Sequence, residues 1–116
     1  MALDEAEHRL FAGCRRPARL VIFDTESGKQ VQDVGISGDT DDLFYDAKRK
    51  RIYVSCGEGF IEIVSEEAAD AYKPLGKVET SAGARTCFFS SELDRLYLAV
   101  PERGSQRAEI RVYQPE

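Results

Sequence analysis

One segment near the amino terminus recurs twice along the chain. His8-Arg9-Leu10-Phe11-Ala12-Gly13-Cys14 matches Lys50-Arg51-Ile52-Tyr53-Val54-Ser55-Cys56, and both match Asp94-Arg95-Leu96-Tyr97-Leu98-Ala99-Val100, with the three arginines 42 and 44 residues apart. A turn former, Asp4, Asp46 or Ser90, stands five positions before each arginine. A second apolar run follows each motif: Leu20-Val21-Ile22-Phe23, Phe60-Ile61-Glu62-Ile63-Val64 and Ile110-Arg111-Val112-Tyr113. Self-similarity at such a period means one supersecondary unit written several times, each copy needing a neighbour to bury its apolar face.

The units read as strands. Their apolar runs are short, rich in Val, Ile, Tyr and Phe, and separated by Gly, Asp, Ser and Pro clusters. Gly57-Glu58-Gly59 and Asp24-Thr25-Glu26-Ser27-Gly28-Lys29 are hairpin signals. The best helical candidate, Ser65 to Ala71, reads as one turn of helix at most. The first unit gives strands at 1–3, 9–13, 19–23 and 30–36, and the second at 42–45, 51–55, 60–64 and 72–78. The third gives strands at 86–89, 95–100 and 109–113. Four antiparallel strands at a period of 40 to 45 residues are the pattern of a β-propeller blade. The fold class expected is therefore all-β, a single partial propeller domain with units at 1–38, 39–82 and an incomplete 83–116. That makes about 2.75 blades of an open ring. Leu10, Phe11, Val21, Phe23, Leu43, Tyr45, Ile52, Val54, Ile61, Ile63, Phe89, Leu96, Leu98 and Val112 are expected to supply most of the core between blades.

Two stretches carry a resemblance to a known family. Tyr53-Val54-Ser55-Cys56 resembles the "YVTN" tetrapeptide of a class of bacterial propeller repeats. The run from Leu20 to Val31, with Asp24-Thr25, Gly28 and Lys29 inside it, is similar to that family's hairpin, and Val34 to Asp42 resembles its crossing into the next blade. The resemblance implies a propeller of about seven blades, often exported, which places the protein in the periplasm or another extracytoplasmic space. It implies binding rather than a defined activity. The present chain departs from the pattern in length. A carboxy-terminal fragment of a longer propeller, a short gene product whose copies assemble into a ring, and one piece of a larger assembly all fit that departure. Assembly by head-to-tail cyclic contacts is the expected form, because the end units differ and an isolated monomer would leave apolar sheet faces in water.

Composition narrows the function. With 42% hydrophobic and 32% charged residues the chain is globular rather than disordered. A net charge of −5 argues against nucleic-acid binding, and the absence of an 18-residue apolar run argues against a spanning helix. The opening MALDEAEHRL is acidic and has no apolar h-region, so no signal peptide is read there. Cys14, Cys56 and Cys87 are odd in number and lie in apolar runs, which reads as buried thiols rather than a disulfide framework.

No catalytic constellation is evident, and no cofactor or metal is implied. The single histidine, His8, and Cys14 sit at opposite ends of one strand, ~20 Å apart at 3.3 Å per residue and too far for a nucleophile–base pair. Asp39 and Asp41 alternate as calcium ligands do, but no Gly or Glu follows at loop spacing, and an Asx-type turn entering a strand is the favoured reading over a ligand or ion contact. Propeller topology gathers Asp39, Asp41 and Asp42 onto one face with Arg85, Arg15 and Arg16, and these six are the ligand-binding candidates. Glu58 and the 102–105 loop join the same face. Asp41 and Arg85 are 44 residues apart, the local repeat spacing, so they are expected to meet at the channel mouth. The reading is a non-catalytic binding or scaffold protein that takes a protein or a small polar ligand there. The alternative is part of a lyase or hydrolase whose site lies mostly in further blades. Far-ultraviolet circular dichroism should report β structure with under about 10% helix; strong helical minima would contradict the whole reading.

Overall fold

Each arginine motif follows the same tight turn. Asp4 Oδ1 accepts the N–H of Glu7 at 3.3 Å, Asp46 Oδ1 that of Arg49 at 3.2 Å, and Ser90 Oγ that of Leu93 at 3.2 Å. The residue before each arginine takes a left-handed backbone, with φ of 56° at His8, 55° at Lys50 and 55° at Asp94. A polar side chain bonded to the backbone and one left-handed residue are enough to reverse an extended chain. The repeat is thus written into local geometry before any packing.

In the computed structural model, which describes residues 1–116, these turns join eleven strands and there is no helix. The first sheet contains β1 (Ala2–Asp4), β2 (Arg9–Arg15), β3 (Ala18–Asp24) and β4 (Gln30–Gly35). The second contains β5 (Thr40–Asp46), β6 (Arg51–Cys56), β7 (Phe60–Ala68) and β8 (Ala71–Glu79). The third contains β9 (Thr86–Ser90), β10 (Arg95–Val100) and β11 (Glu109–Tyr113). All pairs are antiparallel in chain order, and none of the three sheets closes on itself. The sheets stack face to face, with β5 beside both β1 and β9.

Two apolar layers hold the stack. Phe11, Leu20, Ile22 and Val34 of the first sheet meet Leu43, Ile52, Val54, Cys56, Val64 and Tyr72 of the second. Tyr53 and Ile61 on the opposite face of the second sheet meet Cys87, Phe89, Leu96, Leu98 and Val100 of the third. Because successive side chains point to opposite faces, β6 is buried continuously from Ile52 to Cys56.

Several expectations are corrected here. Leu10, Val21 and Phe23 lie on the outer face of the first sheet and are only half-buried, while the adjacent Phe11, Leu20 and Ile22 fill the core. Val112 is 57% exposed on the outer face of the third sheet. Both errors have one cause: a sheet at the end of a stack buries one face, and strands with apolar residues on both faces do not announce which. The strands expected at 60–64 and 72–78 are longer, and the segment Ser65 to Ala71, read as one turn of helix at most, has none. Instead β7 runs to Ala68 and β8 begins at Ala71, because Glu66 is drawn into the sheet interface. The Glu66 N–H donates to the Lys50 carbonyl at 2.9 Å, and its carboxylate accepts the Tyr45 hydroxyl at 2.7 Å and the Tyr72 hydroxyl at 3.0 Å.

Glu66 shares this interface with the buried Asp4, whose Oδ2 has no partner. The repeat explains the orphan. The equivalent Asp46 Oδ2 accepts the Tyr53 hydroxyl at 2.7 Å and Arg49 at 3.0 Å, but the first unit carries Phe11 and Glu7 at those positions. Burial raises the Glu66 carboxyl above its ordinary 4.5, and the neighbouring Asp4 adds to the rise. A carboxyl raised on folding stabilises below its unfolded value and loses that contribution as pH climbs through the folded value. Glu66→Gln, which does not titrate, should therefore raise the melting temperature at pH 7 relative to wild type. Scanning calorimetry should show that gain shrinking as the pH falls toward 4.5.

Candidate functional site

Two crossings between sheets meet on one hairpin. Residues 36–39 lead from the first sheet to the second, residues 80–85 lead from the second to the third, and Gly57–Gly59 turns β6 into β7. The Gly57 N–H donates to the Asp39 carbonyl and the Gly83 N–H to the Gly57 carbonyl, both at 2.7 Å; Thr80 N–H donates to the Gly59 carbonyl at 2.7 Å. Glu58 Oε2 accepts the Gly38 N–H at 3.0 Å. Backbone bonds thus fix the loops that carry the charged candidates.

On this frame the charges form a ladder across three sheets. Arg85 donates through Nε at 2.9 Å and Nη2 at 2.7 Å to Asp39 Oδ2. Arg15 Nη2 lies 3.4 Å from Asp41 Oδ1 and 4.0 Å from Asp39 Oδ1, and Arg15 Nε donates to the Thr40 carbonyl at 2.8 Å. The Arg85 guanidinium holds the Asp39 carboxyl below its ordinary 3.8, and that carboxylate in turn raises the Arg85 pKa. All four side chains are roughly half-exposed, so their attraction is screened by water and contributes little to stability.

The expected pairing is corrected. Arg85 bonds Asp39, not Asp41, because the left-handed φ of 61° at Asp39 turns its carboxylate across Gly57 toward the third sheet. Asp41 faces back toward Arg15. Asp42 is partly withdrawn and accepts the Cys87 N–H at 3.0 Å. Arg16 is exposed and makes no ion pair, standing apart from the ladder next to a cis Arg16–Pro17 peptide. Gly57 is the residue that sequence reading missed: a Cβ there would collide with the Asp39 carboxylate and press on Arg85 Nε. The repeat carries no signal for Gly57, whose counterparts are Arg15 and Pro101. It does set Asp39 opposite Gly83, and a glycine in the aligned position points to the left-handed backbone both adopt.

The remaining chemistry is muted. Burial pushes the Cys56 thiol up to about 12 and the Cys87 thiol up to about 11, so neither is a thiolate near neutral pH. Cys14 is half-buried, against the expectation of full burial. No group of three or more His, Cys, Asp or Glu residues is arranged to hold a metal ion. No helix is long and apolar enough to cross a membrane. Beside Arg85, the end of the third sheet bears an open depression of about 470 Å³ lined by Gly83, Thr86, Ala99, Pro101 and Ile110. A second cleft of about 450 Å³, lined in part by Ile61 and Ile63, lies where the three-stranded third sheet leaves Leu75 and Val78 of β8 exposed.

No family model and no curated protein sequence matches the chain. The likeness to YVTN-type repeats therefore rests on the motifs quoted above.

Gly57→Ala should destabilise the fold by about 1–3 kcal/mol, the usual cost of overpacking. Asp39→Gly, which keeps the left-handed backbone and removes the obstructing carboxylate, should recover most of that loss in the double variant. Additive losses in urea denaturation would show that Asp39 and Gly57 do not interact.

Proposed function

We propose that the chain is a run of β-propeller blades serving as a binding scaffold, with the Arg15–Asp41–Asp39–Arg85 end as its contact surface. The arrangement of the inner strands supports the propeller reading: β1, β5 and β9 lie side by side, and each begins a sheet whose later strands run outward in chain order. The ladder itself carries the binding reading, since it joins Arg15 at the end of β2 and Asp41 of β5 to Asp39 and Arg85 on the two crossings, at the end where those crossings converge. Propellers often use such an end for binding, an argument by analogy of fold. The two donors of Arg85 converge on one oxygen of Asp39, and a competing carboxylate, on a small molecule or a partner loop, would offer two oxygens to the same pair of donors and so a bidentate contact.

Malonate is a suitable probe. Titrated into labelled protein, it should produce saturable amide shifts at residues 38–41, 57–58 and 83–86, and Arg85→Ala should abolish them while leaving the melting temperature nearly unchanged. Equal shifts in both proteins would remove Arg85 from the site and leave the ladder as an inter-sheet ion pair. An absence of saturable shifts would reject the carboxylate reading.

A further inference from the structure

The two ends of the stack are complementary to each other. On the outer face of the third sheet, Phe88, Tyr97 and Val112 form one cross-strand row and Ala99 and Ile110 begin another. Phe88, Val112 and Ile110 are 57%, 57% and 64% exposed. The same rows recur on the second sheet as Phe44, Tyr53 and Ile63, followed by Ser55 and Ile61. There they are covered by the third sheet. At the other end, the outer face of the first sheet shows Leu3, Leu10 and Phe23 in one row, with Leu3 52% exposed. That row recurs as Tyr45, Ile52 and Val64, which pack on the first sheet, and as Phe89, Leu96 and Tyr113, which pack on the second. The exposed front of the third sheet thus has the pattern of a face that takes a sheet. The exposed back of the first has the pattern of a face that is taken.

The repeated arginine gives an independent sign. Arg9 reaches across to the β7–β8 turn, where its Nε donates to the Ala69 carbonyl at 2.9 Å and its Nη2 pairs with Asp70. Arg51 likewise reaches past the third sheet's last strand to the Glu116 carbonyl at 2.7 Å. Arg95, the third member, bonds only the carbonyls of its own turn, Leu93 at 3.4 Å and Asp94 at 2.9 Å. In the first sheet the turn equivalent to β7–β8 carries Glu26, whose side chain is 70% exposed and lies 3.3 Å from the likewise exposed His8 Nε2 of its own sheet, leaving its second oxygen for an incoming arginine.

We infer that copies of this chain associate head to tail: the front of the third sheet of one copy seats on the back of the first sheet of the next, and Arg95 pairs with Glu26 of that second copy. The contact continues the two interfaces already inside the chain, and it is heterologous, so a suitable rotation closes it into a ring. The inference rests on the stacked-blade reading of the fold.

Sedimentation velocity of the purified chain from about 1 to about 100 µM tests it by mass action. The expected species contains two or more 13.0 kDa chains. Val112→Arg and Leu3→Arg each block one face without removing a buried contact, so each should be monomeric with an unchanged circular dichroism spectrum. Mixed in equal amounts, they should form a 1:1 pair, because each keeps the face the other has lost. Arg95→Ala should weaken association without abolishing it. A wild-type chain that stays monomeric overturns the inference, as does a variant that keeps the wild-type mass or a mixture that does not pair. A monomer whose charged end still binds malonate would overturn head-to-tail association and leave the binding reading standing.

Discussion

Ile52 and Tyr53 are neighbours in the chain, point to opposite faces of one sheet, and are both buried, Ile52 against the first sheet and Tyr53 against the third. That double burial is the constraint on which the structure turns. Each fully buried aliphatic side chain such as Ile52 or Val54 contributes about 1.5–3 kcal/mol, and β6 is buried over five consecutive residues. A sheet clad on both sides needs two partners, and here the chain supplies them from its own repeats. The end sheets inherit the same two-faced strands but have one neighbour each. Hence Leu3, Phe88, Ile110 and Val112 are exposed.

Polar side chains adapt the repeat to its place in the stack. The turn at Asp46 is fully furnished, with Arg49 and the Tyr53 hydroxyl both bonded to its carboxylate and Arg49 carried on to Asp94 at 2.6 Å. The turn at Asp4 lacks both partners and leaves a bare buried oxygen beside Glu66. The turn at Ser90 has given up the carboxylate altogether, while keeping the bond to the backbone three residues on. Near-identical backbones therefore carry different charge chemistry.

The charged end follows from the crossings. Gly57 brings the hairpin so close that only hydrogen fits beneath the Asp39 carboxylate, and the left-handed Asp39 delivers that carboxylate to Arg85 instead of to solvent. Asp41, two residues along the strand, serves the first sheet through Arg15. One short acidic segment thus links the end of β2, the entrance of the second sheet and the crossing into the third, with exposed ion pairs rather than apolar contacts.

The sequence by itself determined the all-β class, the three units and the turns between their first two strands. It did so because Asp or Ser bonded three residues forward and a left-handed residue before each arginine are local chemistry, legible at Asp4, Asp46 and Ser90. Reading the units as blades also put Asp39, Asp41, Arg15 and Arg85 at one end, where the structure has them, though the repeat spacing paired Arg85 with the wrong aspartate. Only the tertiary structure decided that Arg85 takes Asp39 over Asp41, that Glu66 carries β7 on past Val64, and that Phe11 rather than Leu10 faces the core of the first sheet. Each of those choices depends on an atom from another sheet: Gly57 beneath Asp39, the Tyr45 and Tyr72 hydroxyls around Glu66, and the second sheet covering one face of the first. Such partners lie tens of residues away in the chain, and no local pattern records the side from which they approach.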